Sequence, residues 1–362
     1  MSVNQDDRES SASALAEEAL RLRAHYRGKV QIAPRCPVRD LHDFSFWYTP
    51  GVAASCRAIV ADPERVWEQT NRSNAIAIVS DGSRVLGLGN IGPEAGLPVM
   101  EGKSLLFKVL GGVDATPLCI RVRDDDELIC TVVALEPSFG GVNLEDIASP
   151  RRFRVLDALQ ERMKIPVWHD DQQGTVTVLL AALTNALEIV EKPFDTVRIA
   201  MVGVGAANVA VYRLLTACGI DPGGIVACDT GGTLHSGRDD LEARQGELGE
   251  KWRICRDSNA GRVVGGIAEA LRGADVCIAL STPGAGIIHP EWIRDMADDA
   301  ILPTMEEWQV YPRIAAATAM AAQDEGLTEF KRTRESVLDE ATKKIRAARD
   351  LAEAIVYAGG TP

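Results

Sequence analysis

The sequence lacks the features that mark a membrane protein or a nucleic-acid-binding protein. No apolar run approaches the roughly 20 residues that a membrane-spanning helix needs, and residues 1–14 lack the apolar core of a secretory signal. Basic residues are in deficit, with 39 Lys and Arg against 52 Asp and Glu, a net charge of −13. Because this charge repels phosphates, we expect no nucleic-acid partner. Because no apolar run is long enough, we expect no membrane association.

Cysteine patterns typical of metal or disulfide frameworks are also absent. The eight cysteines contain no C-x-x-C pair, and most of them lie in apolar, strand-like stretches such as Val276–Ile278. This pattern predicts small buried thiols in a reducing compartment. We therefore expect a cytoplasmic protein without a zinc or disulfide framework.

The remaining composition is that of a globular chain. Hydrophobic residues make up 46% of the 362 residues and charged residues 25%, while aromatic residues reach only 5%. The length predicts about two domains. We predict a polar tail and helix over 1–30, a mixed α/β catalytic domain over 31–190, a Rossmann-like, doubly wound parallel-sheet NAD-binding domain over 191–312, and a C-terminal helical segment over 313–362.

Hydrophobic patterning locates the main elements. The run Ala75–Val79 predicts a strand, and further strands are predicted over Arg84–Leu88, Leu118–Val122 and Leu128–Leu135. Helical spacing predicts helices over Ala14–Tyr26, Thr175–Glu191 and Thr328–Ala358. The acidic run 124–126 is interpreted as a solvated turn.

A glycine-rich loop follows the apolar strand predicted over Val197–Val202. The loop residues are Gly203, Gly205, Ala206, Ala207 and Asn208, and a second strand ends at Asp229. In such loops the first glycine permits the turn, the second admits the pyrophosphate, and the helix N-terminus binds the anion. A carboxylate at the end of the second strand accepts ribose hydroxyls and repels a 2′-phosphate. The pattern predicts dinucleotide binding with NAD favoured over NADP, or a Rossmann-like domain that no longer binds.

Two acidic pairs follow apolar, strand-like stretches with glycine nearby. These pairs are Glu145-Asp146 and Asp170-Asp171. Neighbouring carboxylates repel one another unless a cation neutralises them, and hard oxygen ligands suit Mg²⁺ or Mn²⁺. The alternative is that these are ordinary capping and surface acids.

Tyr48 and Lys103 are the other candidates for chemistry. A lysine beside a divalent cation can act as a general base, and a tyrosine next to it can act as an acid. Taken singly, each residue is more typical of a surface or packing position.

Several separate motifs together resemble the malic enzymes of the short bacterial type. They comprise Tyr48–Val52, Ser80–Pro93, Pro98–Lys103, Phe139–Ile147 and His169–Thr175. The resemblance covers about residues 30–300 in order. It implies oxidative decarboxylation of (S)-malate, or a related 2-hydroxy acid, to pyruvate and CO₂ with reduction of NAD.

The resemblance also implies roles for individual residues. Tyr48 would be the general acid and Lys103 the general base, with Asp170 beside them in the site. Arg84 would face a substrate carboxylate. Glu145, Asp146 and Asp171 would bind Mg²⁺ or Mn²⁺, which would chelate the substrate and stabilise the enolate formed on decarboxylation.

The sequence departs from the family pattern in three places. Gln173 stands where His is expected, and the stretch 149–160 carries Arg151, Arg152 and Arg154 where acidic residues are usual. After residue 300 a segment is missing whose Asn residues contact the substrate and the nicotinamide in the family, so the chain is either a divergent member with a reshaped pocket or a sequence that omits an internal stretch. Two alternatives therefore remain: a non-redox decarboxylase or lyase on the same site, and a catalytically silent nucleotide-binding member.

The N-terminal helix predicts self-association. Its apolar stripe consists of Leu15, Ala19, Leu22 and Tyr26, and it has no evident partner within one compact domain. Together with the family resemblance, the stripe predicts a homodimer.

Overall fold

The fold is taken from a computed structural model, which describes residues 5–281, 287–293, 296, 310–328 and 331–359. Internal contacts divide the chain into two compact units. Unit 1 comprises Met1–Asn143, Arg162–Val167 and Glu306–Pro362, and unit 2 comprises Leu144–Glu161 and Trp168–Met305. The domain boundaries predicted at residues 30, 190 and 312 stay predictions. The position after residue 300, where the sequence predicts a missing segment, lies within 297–309, which are outside the described residues.

Helices and strands alternate through most of the described chain. Up to the end of the first sheet they are α1 (Gln5–Tyr26), α2 (Phe44–Trp47), α3 (Val52–Ala61), α4 (Val66–Gln69), β1 (Ala75–Ser80), α5 (Gly92–Gly111), β2 (Asp114–Cys119), α6 (Asp125–Leu135), β3 (Gly141–Leu144), α7 (Arg151–Arg162) and β4 (Val167–His169). A π-helical turn (Asp170–Gly174) comes next. The later elements are α8 (Thr175–Ile189), β5 (Ile199–Val202), α9 (Ala206–Ala217), β6 (Ile225–Asp229), β7 (Gly232–Thr233), α10 (Asp239–Glu242), α11 (Gly249–Asp257), α12 (Ile267–Leu271), β8 (Val276–Ala279), α13 (Pro290–Ile293), α14 (Val310–Asp324) and α15 (Arg334–Gly359).

The first sheet has the strand order β2-β1-β3-β4. β1 confirms the strand predicted at Ala75 and pairs in parallel with β2, with Ala75 opposite Asp114. α5 connects these two strands and packs on both. It ends at Gly111 and is capped by Gly112, whose φ of +67° and closeness to the backbone of Lys344 in α15 leave no room for a side chain. The C-terminal helices α14 and α15 pack against each other and against α5.

Three strand predictions in unit 1 need correction. The segment 128–135 forms most of α6, because the side chain of Asp124 caps the helix at the N–H of Glu127 and acidic residues fill its first turn. The acidic run is thus a helix start. The segment 84–88 is a turn closed by Val85 N–H donating to the Gly89 carbonyl, and the strand predicted from 118 to 122 ends at Cys119.

The second sheet lies in unit 2 and has the order β7-β6-β5-β8. β5 pairs in parallel with β6 on one side and β8 on the other, as expected for a doubly wound sheet. The short edge strand β7 runs antiparallel to β6. The core of the unit combines the sheet residues Ile199 and Met201 with Phe153 from α7 and Val209 from α9.

Exposure corrects the expectation for several cysteines. Cys228 and Cys255 are buried, whereas Cys56, Cys130 and Cys218 are exposed. Among the described helices, none has the length and apolarity required to cross a bilayer.

Candidate functional site

The glycine loop of unit 2 has the geometry of a dinucleotide cradle. Gly203 has a φ of +88°, and a Cβ there would lie 2.8 Å from the Cβ of Ser281, so the turn requires glycine. Gly205 is the N-cap of α9, and a Cβ there would meet no described atom within 4 Å. The helix begins at Ala206, so its first N–H groups, which have no partner within the helix, belong to residues 206–208. The loop thus presents free donors beside open space, as pyrophosphate binding requires.

Asn208 stands where dinucleotide-binding loops have a third glycine or alanine. Its side chain is fully buried, and Nδ2 donates to the carbonyl oxygens of Val202 at 3.0 Å and Gly203 at 2.6 Å. The amide therefore ties the first turn of α9 to the end of β5.

Asp229 ends β6 as predicted, but its carboxylate is already engaged. It accepts hydrogen bonds from the Gly231 N–H at 2.9 Å, from Arg238 Nη1 at 3.1 Å and from Lys251 Nζ at 3.1 Å. Burial raises the pKa of Asp229, but these hydrogen bonds outweigh it and hold the pKa below its usual range. The acid is thus ionised at neutral pH and has two cations beside it.

The first acidic pair lies immediately after β3. Glu145 and Asp146 are both buried. Asp146 has a φ of +55°, a left-handed conformation that Asp tolerates better than most residues. This sharp turn places two consecutive carboxylates in the interior of unit 2, where ionised groups need compensating positive charge.

The second acidic pair begins the π-helical turn at 170–174. The side chain of Gln173 accepts a hydrogen bond from the His169 N–H at 2.9 Å, which accounts for Gln at this position. Gly174 leaves room for Asp170, since a Cβ on it would lie 2.6 Å from Oδ1 of that carboxylate. The turn packs against α8 and against α9. The turn that carries the second acidic pair therefore packs against the helix that follows the glycine loop.

Arg152 forms an ion pair with Asp171. Its Nη1 lies 3.0 Å from Asp171 Oδ2, and only 7% of its side chain is exposed. Within the described part of the chain, no group of three acidic, His or Cys side chains is arranged to hold a metal ion. The predicted ligands are therefore not assembled as a metal site here.

His169 contributes no positive charge to this region. Its ring is fully buried, and neither ring nitrogen has a hydrogen-bond partner among the described residues. Burial, and to a smaller extent the charge of Arg152, lowers the pKa of His169 to about 3 against the opposing effect of Asp170. The imidazole is neutral at physiological pH.

The remaining predicted residues belong to unit 1. Tyr48 follows α2 directly and is 68% exposed. Lys103 lies within α5 and is half-buried, and Arg84 is exposed in the turn after β1.

Four residues that were not predicted as site residues contact, or leave room for, a predicted one. They are Arg152, Gly174, Arg238 and Lys251. Arg152 was visible in the sequence as one of three arginines near the acidic pairs. The basic partners of Asp229 follow it by 9 and 22 residues and had no local signal, because their pairing depends on the fold.

The chain is similar to characterised enzymes over most of its length. The family model described as "Malic enzyme, N-terminal domain" matches residues 27–127. The NAD-dependent malic enzyme of Geobacillus stearothermophilus is 43% identical over 281 residues, which cover 78% of this chain and 57% of that enzyme. The bifunctional malic/malolactic enzyme of Bacillus subtilis (strain 168) is 39% identical over 327 residues, 90% of this chain and 78% of that enzyme.

The fold is also shared with a solved structure. The crystal structure of Entamoeba histolytica malic enzyme superposes with a TM-score of 0.90 at 32% identity, covering 99% of this chain and 92% of that one. The sequence motifs, the sheet order of unit 2 and these similarities agree, and the chain belongs to the malic enzyme family.

Proposed function

We propose that the chain oxidises and decarboxylates (S)-malate, or a closely related 2-hydroxy acid, to pyruvate or its analogue and CO₂ while reducing NAD to NADH. The observation that carries this proposal is the packing of the 170–174 turn against α9, the helix that begins directly after the glycine loop. Hydride transfer needs the hydroxy acid and the nicotinamide to be held close together. The acids of the 170–174 turn and the glycine loop belong to the same unit, which supports the proposal.

The proposed roles follow the chemistry of each side chain. Lys103 accepts the proton of the C2 hydroxyl while the C2 hydride passes to NAD. The resulting 2-keto acid loses CO₂ to give an enol, and Tyr48 protonates the enol carbon. Arg84 binds a substrate carboxylate, and Asp170 lies beside the reacting groups.

Mg²⁺ or Mn²⁺ is the proposed metal, with Glu145, Asp146 and Asp171 as ligands, because hard divalent cations prefer carboxylate oxygens. The arrangement of the described residues does not fit a bound metal, since Asp171 pairs with Arg152 instead. No step of the reaction is therefore assigned to the metal. Replacing Asp171→Asn should abolish metal-dependent turnover, and unchanged metal-free activity in that variant would reject the site.

NAD is the proposed dinucleotide. The support for NAD is the position of Asp229 at the end of β6, where a carboxylate can accept hydrogen bonds from ribose hydroxyls once Arg238 and Lys251, which it binds here, share it. Equal kcat/KM for NAD and NADP in the wild type would reject this assignment.

A homodimer in the cytoplasm is the proposed state of the protein. Leu15 and Tyr26 of α1 are exposed, as are Phe46 and Trp47 next to Tyr48. Large apolar side chains exposed in this density are typical of association surfaces. Light scattering at micromolar concentration should give the mass of two chains, and a monomer would contradict the proposal.

The test of function is NADH absorbance with malate, NAD and Mn²⁺, repeated over a panel of substituted malates. Malate-dependent NADH formation is expected. CO₂ release without NADH would favour the non-redox decarboxylase, and no reaction with any substrate would favour the silent nucleotide-binding member.

A further inference from the structure

The guanidinium of Arg238 lies directly beside the carboxylate that ends β6. Its Nη1 is 3.1 Å from Asp229 Oδ1 and 3.4 Å from the carbonyl oxygens of Gly232 and Thr233. Only 11% of the Arg238 side chain is exposed. A Cβ on Gly231 would lie 2.6 Å from Nη2, so glycine at this position leaves the space that the guanidinium fills. A large cation is therefore held next to the predicted ribose-binding acid.

Asp240 covers the remaining donors of the same guanidinium. Its two carboxylate oxygens accept hydrogen bonds from Arg238 Nε at 2.7 Å and from Nη2 at 2.8 Å, the parallel fork that arginine forms with a carboxylate. These hydrogen bonds lower the pKa of Asp240 to about 2, so the aspartate is ionised at neutral pH. The Asp240 side chain is 61% exposed, far more than that of Arg238. A ligand that approaches the Nε and Nη2 groups from solvent therefore meets the aspartate first.

The charges at the end of β6 are balanced. Lys251 contacts Asp229 as well, so these ion pairs join two carboxylates and two cations, and the four side chains together carry no net charge. In dinucleotide-binding folds an arginine near this position accommodates the 2′-phosphate of NADP, because its planar fork matches phosphate oxygens. Arg238 has the position for that role, but Asp240 occupies the donors that it would use.

We propose that Asp240 is a specificity-determining residue that holds the Nε and Nη2 groups of Arg238 and so keeps this chain selective against a 2′-phosphorylated dinucleotide. The inference rests on the proposed use of NAD, because it takes the end of β6 as the place of the adenosine ribose. The aspartate and a 2′-phosphate are both anions that need the same N–H groups, and they repel each other when held side by side. Binding of NADP must open the pair between Arg238 and Asp240, whereas binding of NAD leaves it closed.

The test measures, by calorimetry on the full chain, the affinities for 2′,5′-ADP and 5′-AMP, which differ only in the 2′-phosphate. The wild type is compared with Asp240→Asn and Asp239→Asn. Asp239 is the exposed neighbour in α10, so its replacement controls for the loss of one negative charge. We expect Asp240→Asn to lower the Kd for 2′,5′-ADP about tenfold, the effect of one further charge-assisted hydrogen bond, which is about 1.4 kcal/mol. The Kd for 5′-AMP in Asp240→Asn, and both Kd values in Asp239→Asn, should stay within about twofold of the wild type.

Two further variants distinguish a role in specificity from a purely structural one. Asp240→Ala removes both acceptor oxygens, whereas asparagine keeps one, so alanine should lower the Kd for 2′,5′-ADP more than asparagine does. Asp240→Glu keeps the carboxylate and should keep the wild-type ratio of the two Kd values. A structural role would change the Kd values for both nucleotides together and leave their ratio constant, and that result would overturn the proposal.

The outcomes separate this inference from the proposed function. Equal Kd values for 2′,5′-ADP in the wild type and Asp240→Asn, or the same gain in Asp239→Asn, overturn the competition and leave the NAD assignment untouched. Equal kcat/KM for NAD and NADP in the wild type rejects the NAD assignment, while the competition is decided by the 2′,5′-ADP affinities alone. Failure of the wild type to reduce NAD with malate rejects the proposed reaction, whatever the nucleotide affinities are.

Discussion

Replacing each glycine of the dinucleotide loop by alanine should separate folding from cofactor binding. At Gly203 the backbone is left-handed, with a φ of +88°, and a methyl group would lie 2.8 Å from the Ser281 side chain and 3.1 Å from the Leu280 carbonyl oxygen. The left-handed conformation costs roughly 1–2 kcal/mol for a residue other than glycine, and the overpacked contact adds about 1–2 kcal/mol. Gly203→Ala should therefore lower the free energy of unfolding by about 2–4 kcal/mol.

Gly205→Ala is the matched control for this variant. Its backbone is extended, with a φ of −88° and a ψ of −173°, and a methyl group would meet no described atom. The entropic gain of removing a glycine, about 0.4–1 kcal/mol, offsets the small loss at the helix N-cap. The stability should stay within about 1 kcal/mol of the wild type. The methyl group would, however, occupy the space through which the pyrophosphate approaches, so the affinity for NAD should fall.

Thermal unfolding and NAD titration by calorimetry measure the two effects. For a unit of this size, a change of 1 kcal/mol shifts Tm by about 2–4 °C, so Gly203→Ala should melt roughly 4–16 °C lower. Gly205→Ala should melt close to the wild type and bind NAD at least tenfold more weakly. The reasoning is refuted if Gly203→Ala keeps the wild-type Tm, or if Gly205→Ala binds NAD normally.

Three further predictions concern single side chains. Lys103→Ala should abolish NADH formation from malate in stopped-flow absorbance, whereas Tyr48→Phe should keep hydride transfer and lose tautomerisation of enolpyruvate; near-wild-type NADH production by Lys103→Ala would disprove the mechanism. Asp229→Ser should lower the NAD-to-NADP ratio of kcat/KM at least tenfold, because it removes a carboxylate and frees the two cations that contact it; an unchanged ratio would reject that role. Burial raises the pKa of Asp114, but hydrogen bonds from Lys108 and two asparagines outweigh it and lower the pKa. A carboxylate with a lowered folded-state pKa contributes stability above its unfolded value of about 3.9 and loses it as the pH falls. Asp114→Asn should accordingly be less stable than the wild type in urea at pH 5 and closer to it at pH 3, and a constant difference would contradict the assignment.

Local sequence patterns were sufficient for the part of unit 2 from β5 to α9. The apolar run of β5, its glycine turn and the following helix are neighbours in the chain, so spacing alone predicts them. The strand predicted at Leu128–Leu135 was wrong because this apolar run follows a helix cap supplied by Asp124. A short apolar run does not distinguish a strand from a buried helix unless such a cap is recognised.

The candidate site was less predictable than the fold. The sequence identifies Asp171 and Arg152 as opposite charges, but they are 19 residues apart, and only the packing of α7 beside the 170–174 turn brings them to 3.0 Å. The contacts of Arg238 and Lys251 with Asp229 could not be predicted from spacing either. Nor could the hydrogen bond from the buried Asn208 amide to the end of β5. Long-range pairings of this kind depend on tertiary structure, and residue spacing carries no signal for them.

The central claim is that oxidation and decarboxylation of malate are coupled to NAD in this chain. The most direct measurement follows NADH, pyruvate and CO₂ in one reaction with (S)-malate, NAD and Mn²⁺. The account predicts that the three products form in equal amounts, and that none forms when NAD is omitted. CO₂ formed with lactate in place of pyruvate and without net NADH, or no product at all, would contradict it.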